Sequence, residues 1–438
     1  MFHTYEEALD WIHSRLRFGI KPGLKRMEWM LEKLDHPERE LKAIHVGGTN
    51  GKGSTVAYLR SILHESGYKV GTFTSPYIEQ FNERISVYGK PIPDQAITDM
   101  TNVIKPLADE LEATELGSPT EFEVITAMAF YYFAKENPVD IAIFEVGLGG
   151  RYDSTNVIEP LVSIITNVGM DHTQILGNTI KDIAYEKAGI IKRNTPIFTA
   201  IKLNEALAVL QEEAKNKHAK LFQLGVDFFT SNYKPIDNGE QFTFSSNKLR
   251  FEKLELSLLG QHQTENAAGA IAALLYLNKT GHIEVKEEHF RAGLKKAYWP
   301  GRLELLSKSP TVLIDGAHNK EGLQAFAAAI KSRFQGREIN IVFAALKDKD
   351  LTEMFGILNS MEADLYLTQF DFPRAASAVE LKDMSGNPNA KIHHDWPQLL
   401  KQLISSSKPD ELIAVTGSLY FISEVKPYLS EVLQTTKR

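Results

Sequence analysis

Short apolar runs separated by stretches of helical spacing set the rhythm of the first half of the chain. Residues 41–46, 69–74, 139–146, 160–168 and 195–200 are such runs and read as strands. Between them, residues 54–65 carry a helical pattern that stops at Gly67, and residues 131–135 and 180–188 also read as helix. Strands alternating with helices predict a mostly parallel sheet covered on both faces. At the N-terminus Tyr5, Ala8, Leu9, Ile12 and Leu16 recur at helical spacing and predict one buried helix face.

The pattern changes over residues 221–258. Asp227-Phe228-Phe229-Thr230, Gln241-Phe242-Thr243-Phe244 and residues 249–256 alternate apolar with polar, and Asp237-Asn238-Gly239 is turn-forming. This predicts a small antiparallel sheet appended to the first domain. Residues 263–277 return to helix. Trp299-Pro300-Gly301 reads as a linker, after which a second α/β rhythm begins. Residues 311–314, 339–344, 363–368 and 412–416 read as strands there, and 323–334 and 398–405 as helices. The expected fold is therefore α/β in two domains, 1–297 and 298–438. The first is a P-loop-type, mostly parallel sheet with the antiparallel appendage; the second is a Rossmann-like α/β domain.

A chain of 438 residues suits roughly two to four domains. The absence of cysteine excludes disulfides, thiolate metal sites and cysteine nucleophiles. Glu6, Glu7, Asp10 and Arg15 interrupt the N-terminal stretch, so it does not read as a signal peptide. No stretch is long and apolar enough to span a membrane, and a cytoplasmic setting is expected. The net charge of −7 argues against a nucleic-acid partner. It leaves anionic ligands open, because a local field can oppose the global sign.

The first run leads into Gly47-Gly48-Thr49-Asn50-Gly51-Lys52-Gly53-Ser54-Thr55. Glycines let the backbone curl so that N–H groups face one point, and the following helix adds its positive end there. Lys52 brings a full charge for outer phosphates, and Ser54 or Thr55 a hydroxyl for Mg²⁺. The spacing is shorter than the strict Walker pattern, and Gly53 intrudes after the lysine.

The run 139–146 carries Glu145 at its end, and in a parallel sheet ligands gather at that edge. Glu145 suits Mg²⁺, directly or through water. Asp171 and His172 follow the next run; His172 alone reads equally as a metal ligand or a packing histidine. Thr74 and Ser75 end another run, and either hydroxyl suits a metal. Lys187 sits near a helix end, where a solvated charge is the commoner reading. In the second domain Asp315 suits a ribose hydroxyl or the orientation of His318. Asn319 suits a helix cap. Arg302 suits a phosphate fork or a hinge salt bridge.

In order along the chain, GGTNGKGST, GTFTSPYIEQFNERISVYGKPI, TEFEVITAMAF, FEVGLGGRYDSTN, ITNVGMDHTQILGNTIKDIAYEKAGIIK, YWPGRLELL and IDGAHN resemble the folylpolyglutamate synthase and dihydrofolate synthase family of the Mur ligase superfamily. LKDKD and VTGSLYFISEV also look like family signatures. The resemblance implies an ATP-dependent ligase that joins L-glutamate to folate or dihydropteroate through an acyl phosphate. It implies that Gly48, Thr49, Asn50, Gly51, Lys52, Gly53, Ser54 and Thr55 hold ATP, with Asn266 and Arg302. Ser75 and Glu145 match positions that bind one Mg²⁺, and His172 a ligand of a second. Lys187 matches a carbamylated lysine, which needs a neutral amine and hence a pKa lowered by burial or nearby cations. Asp315 and His318 match residues completing the site, and Phe122, Glu123 and Arg84 fall in the region associated with the pterin. The resemblance also implies a monomer.

Site-like segments on both sides of Trp299-Pro300-Gly301 predict domain closure that excludes water. A rival reading is a muramyl-peptide ligase, but only about one helical hairpin precedes the phosphate loop, well short of a usual domain of roughly 100 residues. A second rival is a nucleotide-binding regulator without ligase chemistry. The acceptor, the polyglutamate length and the folate form are left open.

Overall fold

The computed structural model describes residues 1–19, 21–247, 249–408 and 410–436. Its apolar runs pair into an eight-stranded sheet made of β1 (Ala43–Gly47), β2 (Val70–Phe73), β3 (Ile85–Val87), β4 (Lys90–Pro91), β5 (Ile141–Glu145), β6 (Val162–Ile165), β7 (Ile197–Thr199) and β8 (Leu221–Gln223). The order is β4-β3-β2-β5-β1-β6-β7-β8. The six strands from β2 to β8 in that order are parallel, and only β3, paired antiparallel with both β2 and β4, runs against the rest. β1, β2, β5 and β6 are buried along their whole length, which suits the continuous apolar runs of a sheet covered on both faces.

Three strands follow, β9 (Phe229–Ile236), β10 (Gly239–Ser246) and β11 (Leu249–Leu256), in the order β11-β10-β9. The alternating segments thus form their own small sheet. Leu221–Gln223 departs from the expectation: it closes the parallel sheet beside β7 rather than opening the antiparallel one. The last six strands are β12 (Glu304–Lys308), β13 (Thr311–Ile314), β14 (Ile339–Phe343), β15 (Asp364–Leu367), β16 (Lys391–Ile392) and β17 (Leu412–Thr416). They form a second sheet, β12-β13-β17-β14-β15-β16, parallel except for the β12 edge.

The chain makes two compact units. One comprises Met1–Ser231, Thr243–Leu254 and Glu265–Ala297; the other comprises Asn232–Phe242, Glu255–Thr264 and Tyr298–Arg438. In the first, Phe73, Phe130, Phe133 and Phe144 pack together beneath β2 and β5. Each such ring contributes roughly 2 kcal/mol by leaving water. The N-terminal helix Tyr5–Ser14 buries Ala8 and Ile12 as its spacing predicts. Leu16 differs: it is exposed in a following 3-10 turn, where Arg15 is buried instead. No helix among the described residues is long and apolar enough to cross a membrane.

Candidate active site

The strand order places four segments along one edge. β2, β5, β1 and β6 are neighbours and parallel, so their C-terminal ends lie side by side. Phe73 pairs with Phe144, Val46 with Glu145, and Gly47 with Ile165. Thr74 and Ser75, Glu145, the glycine-rich loop, and Thr166-Asn167 therefore emerge at adjacent positions. Glu145 is buried, with 4% of its surface exposed.

The loop is tied to the end of β6. Thr49 N–H donates to the Asn167 carbonyl at 3.1 Å, and Asn50 N–H donates to Asn167 Oδ1 at 2.8 Å. Thr166 Oγ1 donates to the Asn50 carbonyl at 2.5 Å. Two N–H groups expected to face a phosphate are thus used to shape the loop where it enters the helix Lys52–Glu65. Gly48 has φ +140, and a Cβ there would lie 1.9 Å from Thr166 Oγ1. Gly51 has φ +83, and its Cβ would meet Asn266 Oδ1 at 2.4 Å, so Asn266 lies directly on the loop. Lys52 Nζ donates to the carbonyls of Gly48 and Thr49 at 3.1 and 3.2 Å. Gly48→Ala is expected to cost about 2 kcal/mol or more through strain and clash and to weaken ATP binding. Thermal unfolding and an ATP titration check this; a variant unchanged in both would contradict it.

Lys187 lies at the end of the helix Ile180–Ala188, whose start is fixed by a reciprocal Thr179–Asp182 cap. Only 4% of Lys187 is exposed. Burial lowers its pKa from 10.5 to about 7, helped by the charge of Lys52 and opposed by Asp171, Asp153 and Glu186. The amine's pKa thus lies close to neutral, and Lys52 and Asp171 stand near enough to act on its charge. Asp153 is itself buried and its pKa is raised by desolvation. Its Oδ1 accepts from Thr155 N–H at 3.0 Å, and its Oδ2 from Leu148 N–H at 2.9 Å.

An unfolded chain holds the Lys187 proton up to about pH 10.5, whereas the folded chain releases it near pH 7. The unfolded state thus binds more protons between those values, and stability rises with pH across that window. Below pH 7 burying the charged form costs at most about 5 kcal/mol. Lys187→Met is expected to raise Tm at pH 7 and below in CO₂-free buffer, by an amount that shrinks toward pH 10. A Tm difference that ignores pH would contradict the depressed pKa.

In the second unit Asp315 directly follows β13 and is buried, its pKa raised by desolvation against the pull of Arg302. Its Oδ2 accepts from Leu303 N–H at 2.8 Å and its Oδ1 from Ala317 N–H at 2.9 Å. His318 Nδ1 lies 2.8 Å from the Gly316 carbonyl, which makes Nδ1 the protonated nitrogen. Arg302 Nη1 reaches the same carbonyl at 3.4 Å. Asn319 caps the helix Lys320–Arg333 by accepting from Gly322 N–H at 2.9 Å. Half-buried His262, held neutral with a pKa of about 4 by desolvation and by Arg302, also belongs to this unit.

Residues 46–274 match the Mur ligase middle domain, and residues 301–419 match the Mur ligase glutamate ligase domain. The dihydrofolate synthase/folylpolyglutamate synthase of Bacillus subtilis is 50% identical over 430 residues, covering 98% of this chain and 100% of that protein. The chain belongs to the folylpolyglutamate synthase/dihydrofolate synthase family. The folylpolyglutamate synthase of Mycobacterium tuberculosis, solved with ADP, superposes with a TM-score of 0.89 at 30% identity, covering 97% of each chain. A solved FPGS–AMPPCP–folate complex superposes at 0.84 with 32% identity, covering 98% of this chain and 100% of that one.

Within this folylpolyglutamate synthase fold, Phe122 packs over the loop that follows Glu145, where a Cβ on Gly147 would meet its ring at 2.5 Å. Arg84 lies over the rings of Tyr77 and Phe81, 5.2 and 5.6 Å from their centroids. Glu123 is placed differently from a substrate contact. It is 1% exposed, caps its own helix by accepting from Thr120 N–H at 2.8 Å, and is ion-paired with Arg26 at 2.9 Å. His172 adopts a left-handed backbone with φ +51, and its Nε2 stands 3.9 Å from Asp171. Asp153, Asn167 and His262 escape sequence reasoning as site residues. Their signals lie in RYDSTN, ITNVG and GQHQTEN, but nothing in composition separates a buried acid or amide from an ordinary turn residue.

Proposed function

We propose that this protein is an ATP-dependent ligase that adds L-glutamate to the carboxylate of a folate, and to dihydropteroate, by way of an acyl phosphate. One observation carries the reading. A glycine-shaped loop with Lys52 and the buried acid Glu145 share one edge of a parallel sheet, with a buried Lys187 of lowered pKa close to Lys52, in a chain of this family. The relatives named for both synthase activities support the two acceptors. In this reading residues 1–297 bind ATP and residues 298–438 form the glutamate ligase domain.

Lys52 and the N–H groups of the first helical turn, with Gly48 to Thr55 and Asn266, hold the phosphates. Arg302 and Asp315 contact the nucleotide, and Asp315 and His318 are fixed by their own turn. The acceptor carboxylate oxygen attacks the γ-phosphorus and ADP leaves. The amine of glutamate then attacks the acyl carbon, the carbon–oxygen bond breaks, and phosphate departs with that oxygen. Charge crowds together in both steps, and Lys52 with the oriented N–H groups offsets it.

Among the described residues no group of three His, Asp or Glu side chains could hold a metal ion by itself. Mg²⁺ shared with phosphates needs only one or two protein carboxylates. Glu145 and Ser75, which lie at and just beyond the neighbouring ends of β5 and β2, are assigned to one such ion, and His172 to a second. When bound, Mg²⁺ would supply positive charge to the phosphoryl oxygens. We assign Lys187 as the carbamylated residue, since carbamylation consumes a neutral amine and burial keeps that form available at neutral pH. Phe122 and Arg84 are assigned to the pterin end of the acceptor, and Glu123 to holding the helix that presents Phe122.

ADP release measured with tetrahydrofolate, dihydropteroate or a muramyl peptide, each with and without L-glutamate, tests the proposal. Release should require a folate or dihydropteroate acceptor together with L-glutamate. Turnover on the muramyl peptide would favour the rival ligase, and none with any acceptor would defeat both.

A further inference from the structure

The segment that carries Arg302 is held with unusual completeness. Gly301 N–H donates to Glu304 Oε2 at 2.8 Å, and the Gly301 carbonyl accepts from Gly316 N–H at 2.8 Å. On the other side Leu303 N–H donates to Asp315 Oδ2 at 2.8 Å. Leu303 is kept at φ +45, a region that branched side chains rarely adopt and that persists only where surroundings impose it. Arg302 is thus bracketed by two pinned residues.

The pin on Gly301 is itself braced. Glu304 Oε1 accepts from the Tyr298 hydroxyl at 2.7 Å and lies 3.1 Å from Lys426 Nζ. Lys426 Nζ also donates to the Tyr298 oxygen at 2.7 Å. Lys426 is 6% exposed and comes from the C-terminal helix Leu419–Thr436. Tyr298 is itself half exposed, and its phenol, pushed up to about 12 by partial desolvation, stays protonated and able to donate. A buried ion pair is a poor source of stability, since an apolar replacement of similar volume often holds a fold as well. What it fixes well is geometry. The braced carboxylate is the one that holds the residue immediately before Arg302.

We propose that Lys426, Glu304 and Tyr298 are positioning residues that set the backbone carrying Arg302 before ATP arrives. The proposal rests on the reading of Arg302 as a nucleotide contact. None of the three needs to touch ATP. Their effect is to remove the cost of ordering Arg302 on binding, which appears in the affinity for ATP rather than in the chemical step.

The test is steady-state kinetics of the full chain with ATP varied, for Lys426→Met, Lys426→Arg, Arg302→Ala and the double variant Lys426→Met/Arg302→Ala, with Tm recorded for each. Lys426→Met is expected to raise KM for ATP about tenfold, since misplacements of about 1 Å cost up to about 100-fold, and to change kcat far less. Lys426→Arg should recover part of the loss. In the Arg302→Ala background the Lys426→Met effect should vanish, as expected for residues acting through one group. Effects that multiply independently, or an unmoved KM in a folded Lys426→Met protein, would overturn the proposal. If Arg302→Ala leaves KM for ATP unchanged, the nucleotide reading of Arg302 fails, and this proposal falls with it. Should Lys426→Met not fold, Tyr298→Phe removes only the bridging hydroxyl. It should raise KM for ATP about threefold on the same argument, and an unchanged KM there would overturn the proposal equally.

Discussion

Lys52→Ala is expected to lower kcat/KM for ATP by about a thousandfold or more, the range seen when a single cation or oriented donor is removed from a phosphoryl-transfer or acyl-transfer site. Lys52 opens the helix Lys52–Glu65 at the point where the loop turns, and its ammonium already sits against the loop carbonyls of Gly48 and Thr49. Substituting alanine leaves the helix start and the loop's bonds to Asn167 intact, so the loss should appear in turnover with little change in Tm. A second consequence is electrostatic. Lys52 is the charge that adds to burial in lowering the Lys187 pKa. Its removal should raise that pKa and shrink the neutral fraction at pH 7. Near-normal turnover in Lys52→Ala would refute the phosphate-loop reading.

Lys187→Ala is expected to be nearly inactive and to regain part of its activity with added short carboxylic acids. The truncation leaves room at a buried position. A small acid entering it would restore the negative oxygen pair that the carbamate reading assigns there. Formate and acetate should rescue, and a bulkier acid should not, because the site is closed to solvent. Absence of rescue at any concentration, in a variant whose Tm shows it folded, would count against the carbamate role.

Much of the fold is legible in apolar patterning. Residues 180–188 read as helix and form one with the same ends, and the strand runs 41–46 and 139–146 contain most of β1 and β5. Patterning fails where burial is complete on all sides. The helix Glu121–Tyr131 buries Glu121, Glu123 and every residue from 124 to 130, so no polar face marks it. Only its tail, 131–135, shows helical spacing, and that tail is a π-helical turn, Tyr132–Glu136. The helix Asp94–Glu112 carries an internal Pro106, which reads as a break. β3 and β4 are too short to show alternation.

The site was legible in a different way. The glycine-rich loop announces itself because Gly48 and Gly51 do what other residues cannot. Glu145 is marked by closing an apolar strand. Lys187 is not marked by spacing at all; its burial comes from packing between segments far apart in sequence, and only the family resemblance singles it out. Glu123 shows the converse. A conspicuous acid near the expected pterin region is occupied by Thr120 and Arg26.

The central claim is that the acceptor carboxylate is phosphorylated before the amine attacks. The most direct test follows a heavy-oxygen label placed in the acceptor carboxylate, with ATP, Mg²⁺ and L-glutamate present. The mechanism predicts one labelled oxygen in the phosphate released for each amide formed. Unlabelled phosphate accompanying glutamylated product would contradict it.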